Sequence, residues 1–272
     1  MEPSVQDIEN ALFDWAPKPL AEEWDNVGLQ CGDPDEKVKN IVLALDVTPQ
    51  LLAFALENEA DLVISHHPLI FKPLSSLNLK EYTARLLAGF LRHDISVISM
   101  HTNLDSAKGG VNDRLCSLLD IVDTRPLLPN PNMPECGLGR VGRLATQMRQ
   151  EELLSHVAHR LNLGHVPYAG SAKGPITTVA VCSGSGSTLF EEAMKSGAQA
   201  FVTGEIKHSV AIKAQAYDIL VIDGGHFHTE RPVVKDLKEF LSKRALEEGW
   251  DISVEIFHNE TAPLGLWPRQ KT

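Results

Sequence analysis

The chain has 272 residues, of which 43% are hydrophobic, and 25 Lys and Arg against 36 Asp and Glu give a net charge of −11. That length suits one large domain or two modest ones, and the acidic balance argues against a general nucleic-acid coat, because like charge repels phosphate. No apolar run approaches the roughly 18 residues that span a bilayer, and MEPSVQDIENALFDW carries acids where a signal peptide would be apolar. Cys31, Cys116, Cys136 and Cys182 form no CxxC pair, so a cytoplasmic protein with reduced thiols is expected, without disulfides or a thiolate zinc site.

The first clear element is the apolar strand of IVLALD, followed by an amphipathic helix and a second strand, Leu62–Ile64, that runs into His66 and His67. DISVISMHTNLD, Asp94–Asp105, is a further strand ending at His101 and Asp105. Thr124–Arg140 then holds Pro126, Pro129, Pro131 and Pro134, which bar a helix and mark a linker. Beyond it, Leu153, Leu154, Val157 and Leu161 form one apolar face of a helix, with His156 and His159 expected to face solvent. VAVCSGSGSTLFEEAMKSGAQAFVTGE repeats the strand–helix–strand pattern. Its SGSGS reads as a tight turn, lacking the Lys-Ser/Thr ending of a phosphate-binding loop. DILVIDGGHFHTE closes the series at His226 and Glu230.

Ile41–His67 and Val179–Glu205 align without gaps at an offset of 138 residues. The two His-x-x-x-carboxylate endings, His101 with Asp105 and His226 with Glu230, repeat as well. The fold expected is therefore α/β, with two similar halves and largely parallel sheets flanked by helices. The halves would be residues 1–123 and 141–272, joined by the proline-rich linker 124–140, with the C-terminal part able to pack back on the first half.

Ligands collect beyond the carboxyl ends of strands in open α/β sheets, and every imidazole–carboxylate cluster here falls at such an end. Imidazole and carboxylate together suit borderline divalent ions: Zn, Fe, Mn, Ni or Co. Adjacent residues in extended backbone point in opposite directions, so His66 and His67 would serve two different ions. Anionic bridges must offset the repulsion between two dications, a role open to Asp105 and Glu230. His66, His67, Asp105, His226 and Glu230 are thus the expected ligands, lying between the halves. His101 and His208 are expected behind them, orienting ligands or relaying protons.

These residues carry a resemblance. EEWDNVGLQCGDP, SHHPLIF, HTNLDSAKGGVNDRL, VAVCSGSG, TGEIKH and DGGHFHTERP occur in the order of the Ngg-one-interacting-factor-three-like family, also labelled the GTP cyclohydrolase I type 2 homologues. The resemblance covers nearly the whole chain. It implies a two-metal site at the same five positions, two similar α/β halves and a ring-shaped homo-oligomer, commonly a homohexamer. Where many members carry a histidine pair, this chain has His208 followed by Ser209.

The activity expected is that of a dinuclear metal-dependent hydrolase, in which a water bridging two ions opens a nucleotide base, as a GTP cyclohydrolase does. Lys207 and Arg231 would supply positive charge for the nucleotide, and His101 or His208 would return a proton to the leaving nitrogen. The alternative is a non-catalytic metal-binding scaffold or adaptor protein.

Overall fold

A computed structural model describes residues 1–265. Helix α1 (Val5–Trp15) starts at a capping box between Ser4 and Asp7 and buries Val5, Ile8 and Leu12. Strands β1 (Gly28–Cys31) and β2 (Asn40–Ala44), helix α2 (Pro49–Glu57), strand β3 (Leu62–Ser65), helix α3 (Tyr82–Arg92) and strand β4 (Ser96–Ser99) follow. Two short helices, α4 (Thr102–Ser106) and α5 (Val111–Leu118), lead into the second half.

There, strands β5 (Ile121–Pro129) and β6 (Gly137–Met148) precede helix α6 (Gln150–Arg160) and strands β7 (Tyr168–Ala169) and β8 (Ile176–Cys182). Helix α7 (Phe190–Lys195), strand β9 (Ala200–Thr203), helix α8 (His208–Ala216) and strand β10 (Leu220–Asp223) complete that half. The one-turn helix α9 (His226–Glu230) is followed by the long α10 (Val233–Glu248) and strand β11 (Ser253–Ile256).

The strands form two sheets, in the orders β1-β4-β3-β2-β11 and β5-β6-β8-β9-β10-β7. Within the first, β4, β3, β2 and β11 run parallel and β1 is antiparallel. In the second only β8, β9 and β10 are mutually parallel, and β5, β6 and β7 join antiparallel. The second sheet is thus mixed, where a largely parallel one was expected.

The internal repeat persists in the register. Ile41 pairs with Leu62, and Val179 with Ala200; both members of the second pair lie 138 residues beyond those of the first. Both faces of each parallel core are covered, so the strands are apolar at consecutive positions. In the first sheet Ile41, Leu43, Leu62 and Ile64 face α1 and α10, whereas Val42, Ala44 and Val63 face α2 and α3. In the second, Val179, Val181 and Val202 pack towards α5 and α6, and Ala180 and Phe201 towards α7 and α8.

Thr124–Arg140, expected as a linker, falls almost entirely in the β5–β6 hairpin. The prolines fit because β5 is the sheet edge, where a missing N–H breaks no ladder. The C-terminal α10 and β11 belong to the first half, with β11 pairing along β2 from Ser253–Asn40 to Ile256–Leu43.

Candidate metal centre

Each half ends its parallel strands at the same place, between the two sheets. His66 and His67 leave β3, and His101 and Asp105 lie one turn apart around α4. His226 and Glu230 lie one turn apart on α9, and this i,i+4 spacing puts an imidazole and a carboxylate on one helical face. Gly225 precedes α9 at φ 74°, a left-handed conformation that turns the chain sharply into the helix. Gly184 (φ 55°) packs so closely that a Cβ there would lie 2.0 Å from Glu230 Oε1. SGSGS is a bend at Gly184 and Ser185 that opens into a 3-10 turn at Gly186–Leu189, and Gly184 makes room for the carboxylate of Glu230.

Each imidazole is held through Nδ1. His66 Nδ1 donates to the Met100 carbonyl at 2.7 Å, which fixes the proton on that nitrogen because a carbonyl only accepts. His67 donates to Asp46 Oδ1, His101 to Asp25 Oδ1 and His226 to Glu205 Oε1, each at 2.8 Å. Asp46 is itself held by its loop, where Glu260 Oε1 accepts from the backbone N–H of Leu45 and Asp46. Such partners fix the tautomer and aim the other nitrogen, so the Nε2 atoms are left for the centre.

Those atoms converge. His67 Nε2 and His226 Nε2 lie 3.1 and 3.0 Å from Glu230 Oε2, neither aligned for a hydrogen bond. His66 Nε2 lies 3.7 Å from Asp105 Oδ1 and 3.9 Å from Glu230 Oε1. His66 Nε2, Asp105 Oδ1 and Glu230 Oε2 are buried without a hydrogen-bond partner, an arrangement that costs several kcal/mol for charged groups unless something compensates.

Three sets have ligand atoms close enough to share an ion: His66, His67 and His101; His67, His226 and Glu230; and His66, Asp105 and Glu230. Ring nitrogens and carboxylate oxygens that converge without an aligned hydrogen bond between them are what a cation requires, so the residues fit a metal.

The electrostatics agree. Burial pushes His66 down to about 3, so its ring is neutral. Burial also opposes charge on His67, but its contacts with Asp46 and Glu230 prevail and lift it to about 10. Glu230 likewise raises His226 to about 9. Burial and the neighbouring Glu230 raise Asp105. Glu230 is lowered: burial opposes its charge, but the facing His226 and His67 outweigh it. Without a metal ion, protons on His67 and His226 supply the missing positive charge.

All five expected ligands meet here. His101, expected behind them, instead stands beside them in one of the metal-capable sets, with its ring 5.2 Å from that of His66. His208 is not brought to the centre: it is exposed at the start of α8 and belongs to none of the three sets. Asp25 and Asp46 were not singled out in the sequence. Their signal is weak, since an acid after a strand or in a loop ordinarily reads as a turn residue.

The fold and these residues define an α/β protein with side-chain groups that could hold metal ions. The chain belongs to the Duf34/NIF3 (NGG1p interacting factor 3) family, whose model matches residues 3–263. It is 33% identical over 264 residues to a "GTP cyclohydrolase 1 type 2 homolog" of Clostridium acetobutylicum, covering 97% of this chain and 98% of the other. It is 35% identical over 250 residues to the Drosophila melanogaster "NIF3-like protein 1", covering 90% and 82%. A Staphylococcus aureus hypothetical protein of solved structure superposes with a TM-score of 0.92 at 28% identity, over 98% of this chain and 100% of that one. No helix among the described residues is long and apolar enough to cross a membrane.

Proposed function

We propose that this chain is a dinuclear metal-dependent hydrolase that opens a nitrogen heterocycle in the manner of a GTP cyclohydrolase. The observation that carries the reading is the convergence of His66 Nε2, Asp105 Oδ1 and Glu230 Oε2, buried and without donors. His66 and Asp105 would hold one divalent ion, and His67 and His226 the other, with His101 standing beside His66 and His67. Glu230, whose two oxygens face different histidines, would bridge them. Bound there, such ions act as Lewis acids and lower the pKa of water towards neutrality.

The chain's own residues set the stage for that chemistry. Asp46 and Glu205 hold the rings of His67 and His226 by their Nδ1 protons, and Asp25 holds His101. Burial of His66 and Glu230 keeps bulk water from one side of the centre. The relatives named as GTP cyclohydrolase 1 type 2 homologs support the choice of substrate bond. The family resemblance adds a ring-shaped homohexamer, and the four cysteines without a CxxC pair add a cytoplasmic place. Elemental analysis of protein purified without chelators should find two divalent ions per chain, and stripping them should abolish ring-opening hydrolysis. Full hydrolysis by the stripped protein would overturn the reading, and metal-loaded protein inert across a panel of heterocycles would favour the scaffold alternative.

A further inference from the structure

One buried amide joins the two halves beside the centre. Asn112 lies in the first turn of α5 and has no exposed surface. Its Nδ2 donates to the carbonyl of Asp105 at 3.0 Å, and its Oδ1 accepts from the Ser183 N–H at 2.9 Å. A carbonyl only accepts and a backbone N–H only donates, so both roles of the side chain are fixed.

Each partner leads to a carboxylate of the centre. Asp105 is the acid supplied by the first half. Ser183 precedes Gly184, which packs directly on Glu230 Oε1. The Gly184 N–H in turn donates at 3.1 Å to Oγ1 of Thr229, the residue before Glu230. Asn112 is thus the middle of a path from Asp105 to Glu230 that crosses the junction of the halves. A short side chain with one donor and one acceptor face is what the path requires. An apolar side chain of the same size would leave the Asp105 carbonyl and the Ser183 N–H unpaired.

The junction does not hang on this amide alone. Arg140 is 2% exposed and donates to the carbonyls of Ala107, Gly137 and Gly139. It also grips both oxygens of Asp113, from Nε and Nη2. The segment that follows Asp105 is therefore clamped to β6 independently. With that clamp in place, loss of the amide leaves the halves joined, and what changes is the distance between the two carboxylates.

We infer that Asn112 is a positioning residue: it sets the separation of Asp105 and Glu230, and through them the spacing of the two ions. The inference rests on the two-metal reading, but on no particular substrate or reaction.

The test loads the full chain with Mn(II) and reads metal content, electron paramagnetic resonance and thermal melting together. Two Mn(II) ions roughly 3.5–4 Å apart under a shared carboxylate give an exchange-coupled spectrum, whereas separate ions give the hyperfine pattern of isolated Mn(II). Asn112→Leu removes both hydrogen bonds at similar volume; should it fail to fold, the smaller Asn112→Ala takes its place. The folded variant should lose the coupled spectrum and hold its weaker ion about tenfold or more less tightly, the range for loss of an outer-sphere partner. Phe90→Leu, a buried change on α3 in a separate part of the core, should lower the melting temperature and leave the coupling intact. An unchanged coupled spectrum and unchanged affinity in the folded Asn112 variant would overturn the inference, as would coupling lost equally in Phe90→Leu. Failure of both Asn112 variants to fold would overturn it too, making the residue a folding determinant only. Wild-type protein that binds fewer than two ions, or shows no coupling, would instead strike at the two-metal reading itself.

Discussion

Nε2 of His67 and Nε2 of His226 face one another at 3.4 Å, although the two rings come from different halves of the chain. Two bare nitrogens at that distance oppose their lone pairs, and two protonated ones oppose their charges. Glu230 Oε2 lies about equally near both. A divalent ion among the three atoms removes the conflict, and Glu230 is the group through which both ions would be coupled.

Glu230→Gln should therefore be the most damaging near-isosteric change. The amide keeps the shape and loses the bridging charge. Metal content should fall from two ions to one or none, and activity by more than the roughly 100-fold that bounds loss of an outer-sphere partner. Elemental analysis and circular dichroism on the same sample check it: two retained ions would contradict the bridging role.

Asp46→Asn separates orientation from ligation. Asp46 touches the centre only through His67 Nδ1, so the substitution should weaken metal binding roughly 10- to 100-fold without unfolding the chain. His208→Ala should leave metal content and activity as they are, because that ring stands outside the centre. Competition with a chromophoric chelator measures both variants.

Metal binding should release protons. His67 at about 10 and His226 at about 9 are protonated at neutral pH in the metal-free chain, and both must give up a proton to bind a metal. Apparent affinity should therefore rise with pH up to that range. Both pKa values are raised above the unfolded value. Their stabilising contribution is thus complete below about 6.5 and is lost as pH rises through about 9 to 10 in metal-free protein. Calorimetry in buffers of differing ionisation enthalpy reads the proton count, and thermal melts across that range read the stability.

Gly184→Ala should perturb the centre without touching a ligand. The left-handed backbone there costs a non-glycine residue about 1–2 kcal/mol, and the new methyl group would press on Glu230 Oε1. Lower thermal stability together with reduced metal content is expected; a loss of stability alone would mean that Glu230 tolerates displacement.

Much of this was legible in the sequence because the repeat is a repeat of register. The offset of 138 residues that aligns Ile41 with Val179 also carries His67 to Glu205 and Asp46 to Gly184. Side-chain roles did not follow that alignment. The first half supplies the ligand candidate His67 with Asp46 behind it, whereas at the matching positions the second half supplies Glu205 behind His226, and a glycine. An acid that holds a ring by its Nδ1 proton and an imidazole that could hold a metal thus occupy equivalent backbone positions, and only the packing tells them apart. The place of His101 in the centre is fixed through Asp25, 76 residues away, a separation no local pattern reveals. The β5–β6 hairpin was hidden by prolines, which bar an interior strand and are tolerated at an edge.

The central claim is tested most directly by anomalous diffraction from crystals of protein purified without chelators, recorded on both sides of the absorption edge of the metal found. Two peaks roughly 3.5–4 Å apart are expected, with Glu230 reaching both, His66 and Asp105 on one and His67 and His226 on the other. A single peak away from Glu230, or none in crystals soaked with zinc or manganese, would contradict it.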